Sequence, residues 1–214
     1  MTSEVENIDC MIGMARYPDK FFDLAVVDPP YGIGMDWKKR TNNRRNGFKD
    51  TSYQNTPVGQ EYFNEIKRVS VDWVIWGWNY YTEFLGSSNY LICWDKQSAD
   101  NPVFYYSQFE LAIASKKVPA KIISISWDGY RMGKETGVDK IHPHQKPIAL
   151  YDWVYKNYLP NGGKVLDTHL GSGSNRIAAD KAGNIDFVGF ELDKDYFDAQ
   201  EKRWRNYKAQ LTIF

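Results

Sequence analysis

Four consecutive residues carry the densest chemical signal in the chain: Asp28-Pro29-Pro30-Tyr31. They follow Leu24-Ala25-Val26-Val27, a short apolar run that reads as a buried strand. Proline has no N–H for a sheet ladder, so the strand must stop at Asp28. Pro29 also disfavours helical geometry there. A carboxylate, rigid backbone carbonyls and an aromatic ring then project from one strand end. Such groups suit the activation of a planar, conjugated amino group, whose lone pair is delocalised into its ring. Hydrogen bonds from its two N–H groups to a carboxylate and a backbone carbonyl draw the nitrogen toward tetrahedral geometry. The carboxylate also stabilises the charge that develops on nitrogen. The Tyr31 ring offers a base a stacking surface, worth about 1–3 kcal/mol in single-strand binders. An ordinary strand-ending turn with a surface tyrosine would use the same four residues, so the rest of the chain must decide.

A second constellation lies near the C-terminus. Lys164 to Asp167 reads as a strand, Thr168 to Asn175 as a tight loop containing Gly171 and Gly173, and Arg176 to Ala182 as a helix. Phe187 to Glu191 follows as a strand ending on a carboxylate. This is the layout of a nucleoside-binding crossover. The glycines let the backbone approach a ligand, and an ionised Glu191 has two oxygens for two ribose hydroxyls. The third glycine of the dinucleotide pattern is missing, with Ile177 or Ala178 near its place. That argues against NAD and for a cofactor without a pyrophosphate. Upstream, His142-Pro143-His144-Gln145-Lys146-Pro147 opens a helix predicted from Ile148 to Asn157. Two nearby histidines with no acidic or cysteine partner do not predict a metal.

The elements that must position these groups read as an α/β chain. Val5 to Ile8 is a weak strand ending at Asp9-Cys10, Met11 to Tyr17 a short helix, and the strand before Asp28 follows. Together they form one right-handed crossover unit of a parallel sheet. Glu61 to Val69 is an amphipathic helix with Tyr62, Phe63, Ile66 and Val69 on one face. Trp73 to Trp76 and Tyr90 to Asp95 are strands, and Asn79 to Leu85 begins a helix. Phe109 to Ser115 and Lys121 to Trp127 are expected to form an antiparallel pair. Asp195 to Tyr207 is the last helix.

Lys plus Arg equals Asp plus Glu at 27 each, so there is no global basic field and any nucleic-acid contact must come from local clustering. The dense basic stretch carries Trp37, Lys38, Lys39, Arg40, Arg44, Arg45 and Lys49 within a mobile loop over 32–56, directly after Tyr31. It is the candidate DNA-binding segment, able to follow phosphates. Two cysteines exclude a disulfide framework. No apolar run reaches the roughly 20 residues of a membrane span, and the N-terminal residues lack an apolar signal core. A soluble cytoplasmic protein of one domain is expected. The 15 tyrosines and 8 tryptophans supply stacking surfaces or simply an aromatic core.

With these residues in hand, the sequence resembles the amino-group DNA methyltransferases that use S-adenosylmethionine, in the circularly permuted group whose catalytic turn precedes the cofactor loop. Nearly the whole chain fits. Asp28 to Tyr31 looks like the catalytic motif. His142 to Pro147 resembles the family's His-Pro-Thr-Gln-Lys-Pro element, with His144 in place of Thr. Asp167 to Ser174 resembles its Asp-Pro-Phe-x-Gly-Ser-Gly loop, departing at Thr168, His169 and Leu170. Glu191 matches the ribose-binding acid, and Asp9-Cys10 resembles the pair beside the cofactor's adenine.

The resemblance implies a doubly wound, mostly parallel, seven-strand-type methyltransferase sheet with helices on both faces, circularly permuted. The Gly-loop strand is expected beside the Asp28 strand. Asp28, Pro29, Pro30 and Tyr31 are the implied catalytic residues. The implied cofactor set is Asp9, Cys10, Asp28, His144, Lys146, Asp167, Leu170, Gly171, Ser172, Gly173, Ser174, Glu191, Leu192 and Tyr196. Within it, Lys146 would meet the cofactor's carboxylate. A duplex base must be flipped out to reach such a crevice. Asp at the first motif position is typical of adenine methylation, while cytosine-N4, RNA or protein amide methylation and a silent DNA-binding module remain alternatives. Only about 118–141 is available for target recognition, which is consistent with minimal recognition, delegation to the basic loop, or sharing across a homodimer.

Overall fold

A computed structural model describes residues 1–32, 56–96, 107–127, 135 and 140–211. The expected DNA-binding residues Trp37, Lys38, Lys39, Arg40, Arg44, Arg45 and Lys49 lie outside the described residues, as does much of 118–141.

Eight strands form one sheet: β1 (Ser3–Glu6), β2 (Phe22–Val27), β3 (Ser70–Trp76), β4 (Leu91–Asp95), β5 (Phe109–Ala114), β6 (Lys121–Ser124), β7 (Gly163–Asp167) and β8 (Ile185–Phe190). Their order is β1-β8-β7-β2-β3-β5-β4-β6. All neighbours run parallel except β5, which is antiparallel to both β3 and β4. The helices are α1 (Cys10–Met14), α2 (Gln60–Val69), α3 (Thr82–Leu85), α4 (Ile148–Tyr158), α5 (Ser174–Ala182) and α6 (Lys194–Leu211).

β2 shows why the sheet is covered on both sides. Side chains alternate across a strand, and both sets are apolar here. Leu24 and Val26 enter one core with Leu150, Val154 and Ala178 of α4 and α5. Ala25 and Val27 enter the other with Met14 of α1 and Phe63 and Ile66 of α2. The face read from the α2 sequence is the one that is buried: Tyr62, Phe63, Ile66 and Val69. At its start β2 is tied to β7, where the Asp23 carboxylate accepts the Lys164 N–H at 2.8 Å. Ladder pairs Leu24↔Val165 and Ala25↔Leu166 then carry the two strands side by side to Asp28 and Asp167. The expected adjacency of the two site-bearing strands is therefore present.

Three local expectations need correcting. β5 and β6 do not pair with each other. Both edges of β5 are taken, by β3 through Val74↔Ala114 and by β4 through Leu91↔Ile113, so β6 adds to the free side of β4. Among the described residues the sheet has eight strands, with β6 at one edge. β1 and β2 share a direction but are not neighbours, because β8 and β7 lie between them. The stretch read as one helix from Asn79 is a 3-10 turn, Trp78–Tyr80, followed by the short α3. Tyr81 separates the two, with φ −125° and ψ 22° outside the helical range, and Gly77 at φ +76° leads into the turn.

Candidate active site

The end of β2 places Asp28 beside two side chains. Its Oδ1 accepts the Tyr31 hydroxyl and its Oδ2 the Lys146 ammonium. Lys146 also lies 3.4 Å from the Tyr31 hydroxyl and 3.1 Å from Glu110 Oε2 of β5. Glu110 is bound in turn by Lys96 at 2.5 Å. A buried carboxylate without a cation is costly, and this chain supplies two ammoniums to two acids. Burial opposes the charge on Lys146, but Asp28 and Glu110 outweigh it and raise its pKa, so the ammonium persists. The structure thus places Lys146 on the Asp28 carboxylate.

The rest of the turn is fixed from β3. Tyr81 donates its hydroxyl to the Pro30 carbonyl. The Tyr31 ring presses on Gly77, where an added Cβ would fall 2.1 Å from Tyr31 Cε1. Its face stacks on Tyr80 with centroids 4.8 Å apart and planes 14° apart.

The glycine loop is built at the end of β7. Gly171 and Gly173 both have positive φ. Glu191, at the end of β8, accepts the Gly171 N–H at 2.8 Å on one oxygen and the Asp193 N–H at 2.9 Å on the other. Burial still pushes its carboxyl above the ordinary range. Arg203 of α6 supports the loop from beneath, donating to the Ser172 carbonyl and the Ser174 hydroxyl at 2.9 Å each. Ser174 is the first residue of α5, and its hydroxyl lies 3.1 Å from that of Ser172. Leu170 is packed in the core. Leu192 is exposed, while Tyr196 is buried with its ring 4.5 Å from that of His142.

Two links join loop and turn. Asn175 Nδ2 donates to the Val26 carbonyl at 3.1 Å and to Asp167 Oδ2 at 2.9 Å, while its Oδ1 accepts the Tyr155 hydroxyl. One buried carboxamide therefore ties the tips of β2 and β7. The His142–Lys146 segment is the second link. The His142 ring lies 3.4 Å from where a Gly171 Cβ would stand, and Lys146 reaches Asp28. Asp9 caps α1, accepting from the Met11 N–H at 2.8 Å. The adjoining Ile8 N–H donates to the Glu191 carbonyl at 3.1 Å, which brings Asp9 and Cys10 to the same end of the sheet. Burial pushes the Cys10 thiol up to about 12, so it is a neutral lining group. Burial likewise pulls His144 and His169 down to about 4, leaving neutral rings near pH 7.

Several participants were not read from the sequence. Glu110 had a signal, since an acid inside a buried apolar strand demands a cation. Asn175 follows the glycine loop directly but is ordinary there by type. Arg203 and Tyr81 carry no local signature.

The fold has counterparts among solved structures. A crystal structure of an M1.HpyAVI–SAM complex aligns with TM-score 0.62 at 18% identity, covering 95% of this chain and 99% of that one. The PvuII DNA methyltransferase, cytosine-N4-specific, aligns with TM-score 0.59 at 14% identity, covering 94% and 86%. The sequence supplies the family. Residues 62–202 match the DNA methylase family N6_N4_Mtase, more than half of the chain, and the chain belongs to that family. The matched segment holds Lys146, the glycine loop and Glu191, and it begins after the Asp28 turn. Type II methyltransferase M.ScaI of Streptomyces caespitosus is 25% identical over 226 residues, covering 85% of this chain and 74% of that protein. The chain is thus a DNA methyltransferase of the N6/N4 group. Among the described residues no group of three or more His, Cys, Asp or Glu could hold a metal ion, and no helix is long and apolar enough to cross a membrane.

Proposed function

We propose that this methyltransferase acts on the exocyclic amino group of adenine in DNA, with S-adenosylmethionine as donor. The observation that carries the pairing of donor and acceptor sites is the Asn175 tie. It holds an acceptor turn, Asp28 to Tyr31, beside a glycine loop closed by Glu191. The donor set fits a nucleoside with an amino-acid tail. Glu191 has lone pairs left for ribose hydroxyls after two backbone bonds. Gly171, Ser172, Gly173 and Ser174 would hold the methionine part, and Asp9, Cys10, Leu192 and Tyr196 the adenine side. Bound there, the cofactor supplies an electrophilic methyl group on a sulfonium.

The chain's own residues do the rest. Asp28 and the Pro29 carbonyl accept the two N–H groups of the base and orient its nitrogen. Tyr31 stacks the ring. For Asp28 Oδ2 to receive a base, Lys146 must give way toward Glu110 and the carboxylate of the cofactor. The basic residues between Trp37 and Lys49 are assigned to DNA phosphates on their sequence alone. The adenine assignment rests on Asp at the first motif position.

The test is transfer of tritium from labelled cofactor to DNA, RNA and protein pools, with mass spectrometry of hydrolysed nucleosides. N6-methyladenine in DNA is expected. N4-methylcytosine overturns the base, and label in another pool or in none overturns the substrate. In Asp28→Ala, cofactor binding should persist while transfer falls about 100-fold or more. Full activity in that variant removes the assigned role.

A further inference from the structure

We infer that Tyr80 is the second wall of the base site, a ring that stacks on Tyr31 and moves out to let the extruded base between them. This rests on the reading above, in which Tyr31 stacks the target base. Two adjacent tyrosines after β3 have different surroundings. Tyr81 is 1% exposed, sits edge-on to Tyr31 at 6.3 Å and is bonded to the Pro30 carbonyl, so it holds the turn. Tyr80 is 47% exposed, yet its ring is parallel to that of Tyr31 at 4.8 Å. It therefore covers the Tyr31 face while remaining open to solvent on its own outer face.

The spacing sets what must move. Planar groups in contact lie about 3.5 Å apart, so a base between two rings needs their centroids about 7 Å apart. Starting from 4.8 Å, the outer ring must move by about 2 Å, which a rotamer change at an exposed side chain supplies. The inner ring is not free to do so. Gly77 packs against Tyr31 with no room for even a methyl group, and Asp28 holds its hydroxyl. The Tyr80 backbone N–H is bonded to the Gly77 carbonyl at 2.9 Å, so the turn can stay in place while the side chain swings.

Steady-state transfer of tritiated methyl groups to unmethylated chromosomal DNA tests this in wild type, Tyr80→Phe, Tyr80→Leu and Tyr80→Ala. Cofactor Kd by calorimetry and Tm are measured on each. Phe keeps the aromatic face, so its KM for DNA should stay within about twofold of wild type. Leu and Ala should raise KM for DNA about tenfold, equivalent to about 1.4 kcal/mol, with cofactor Kd and Tm unchanged. An unchanged KM in Ala overturns the inference. So does a rise in KM accompanied by weaker cofactor binding and a lower Tm, which would mark a purely structural role. A wild type that methylates no DNA overturns the base-site reading and the second wall with it. A wild type that is active while Ala is unaffected overturns the wall alone.

Discussion

Replacing Lys146 with methionine isolates the buried charge network at the Asp28 turn. The Lys146 side chain is 4% exposed and meets Asp28 and Glu110, the latter at 3.1 Å. Methionine keeps much of the apolar stem but leaves two acids without their shared cation. Removing one partner of a buried pair costs about 3–5 kcal/mol. Two contacts soften the loss, because Glu110 keeps Lys96 at 2.5 Å and Asp28 keeps the Tyr31 hydroxyl. The expected destabilisation at pH 7 is therefore about 3 kcal/mol, the lower end of that range. At 2–4 °C per kcal/mol for a chain of this size, Tm should fall by about 6–12 °C. The pH dependence has a definite sign. Burial raises the Glu110 carboxyl, but Lys146 and Lys96 outweigh burial and hold it below the ordinary carboxylate range. Such a group contributes stability that is present above its unfolded pKa of about 4.3 and lost as pH falls through the folded value. The deficit of Lys146→Met should thus be complete at pH 7 and shrink as pH drops below about 4. Urea denaturation at both pH values measures it. A deficit under about 1 kcal/mol at pH 7, the range of solvated surface pairs, refutes the argument. Adding Glu110→Gln should recover part of the loss, since it removes a charge left short of cations.

Other expectations follow from single contacts. Gly77→Ala brings a methyl group to 2.1 Å from the Tyr31 ring at a φ of +76°. The left-handed backbone alone costs about 1–2 kcal/mol, so Tm should fall and KM for DNA rise, and an unaltered melting curve would contradict the packing. Glu191→Gln puts an amide donor where a backbone N–H already points. Hydrogen bonds to charged groups are worth about 1.5–3 kcal/mol, so calorimetry should show cofactor binding at least about tenfold weaker; wild-type affinity would remove Glu191 from the cofactor site. Burial raises the Asp167 carboxyl to about 7 against the bonds from Asn175 and His169. Its contribution to stability should therefore decline as pH rises from about 4 to 7 and level off above. Carboxyl carbon shifts should titrate with a midpoint near 7, and a midpoint below 5 would be inconsistent with this burial.

The parts legible in the sequence are those where local chemistry decides. Pro29 and Pro30 end β2 wherever it packs, Gly171 and Gly173 make a loop at any strand tip, and the α2 stripe faces a core of either sheet side. Partnerships between distant segments were not legible. Nothing local to Phe109–Ala114 says that both its edges are filled by earlier strands, so Lys121 to Trp127 reads as its antiparallel partner. Lys146 was assigned to the cofactor's carboxylate from resemblance, and only the packing of β5 against the turn reveals Glu110 as its second anion. Asp9 reads as a ligand group, while its carboxylate also caps the first turn of α1. For β5 and for Lys146 the deciding contact spans a sequence separation that periodicity and motif cannot see.

The Asn175 carboxamide has a consequence for how such an enzyme can change its target. It sits among interior side chains, and its amide group is saturated by Val26, Asp167 and Tyr155. In the proposed function, donor-to-acceptor reach is consequently gauged inside the protein, between the tips of β2 and β7. Segments that read a nucleotide sequence are free to be exchanged, lengthened or lost without resetting the distance over which the methyl group travels.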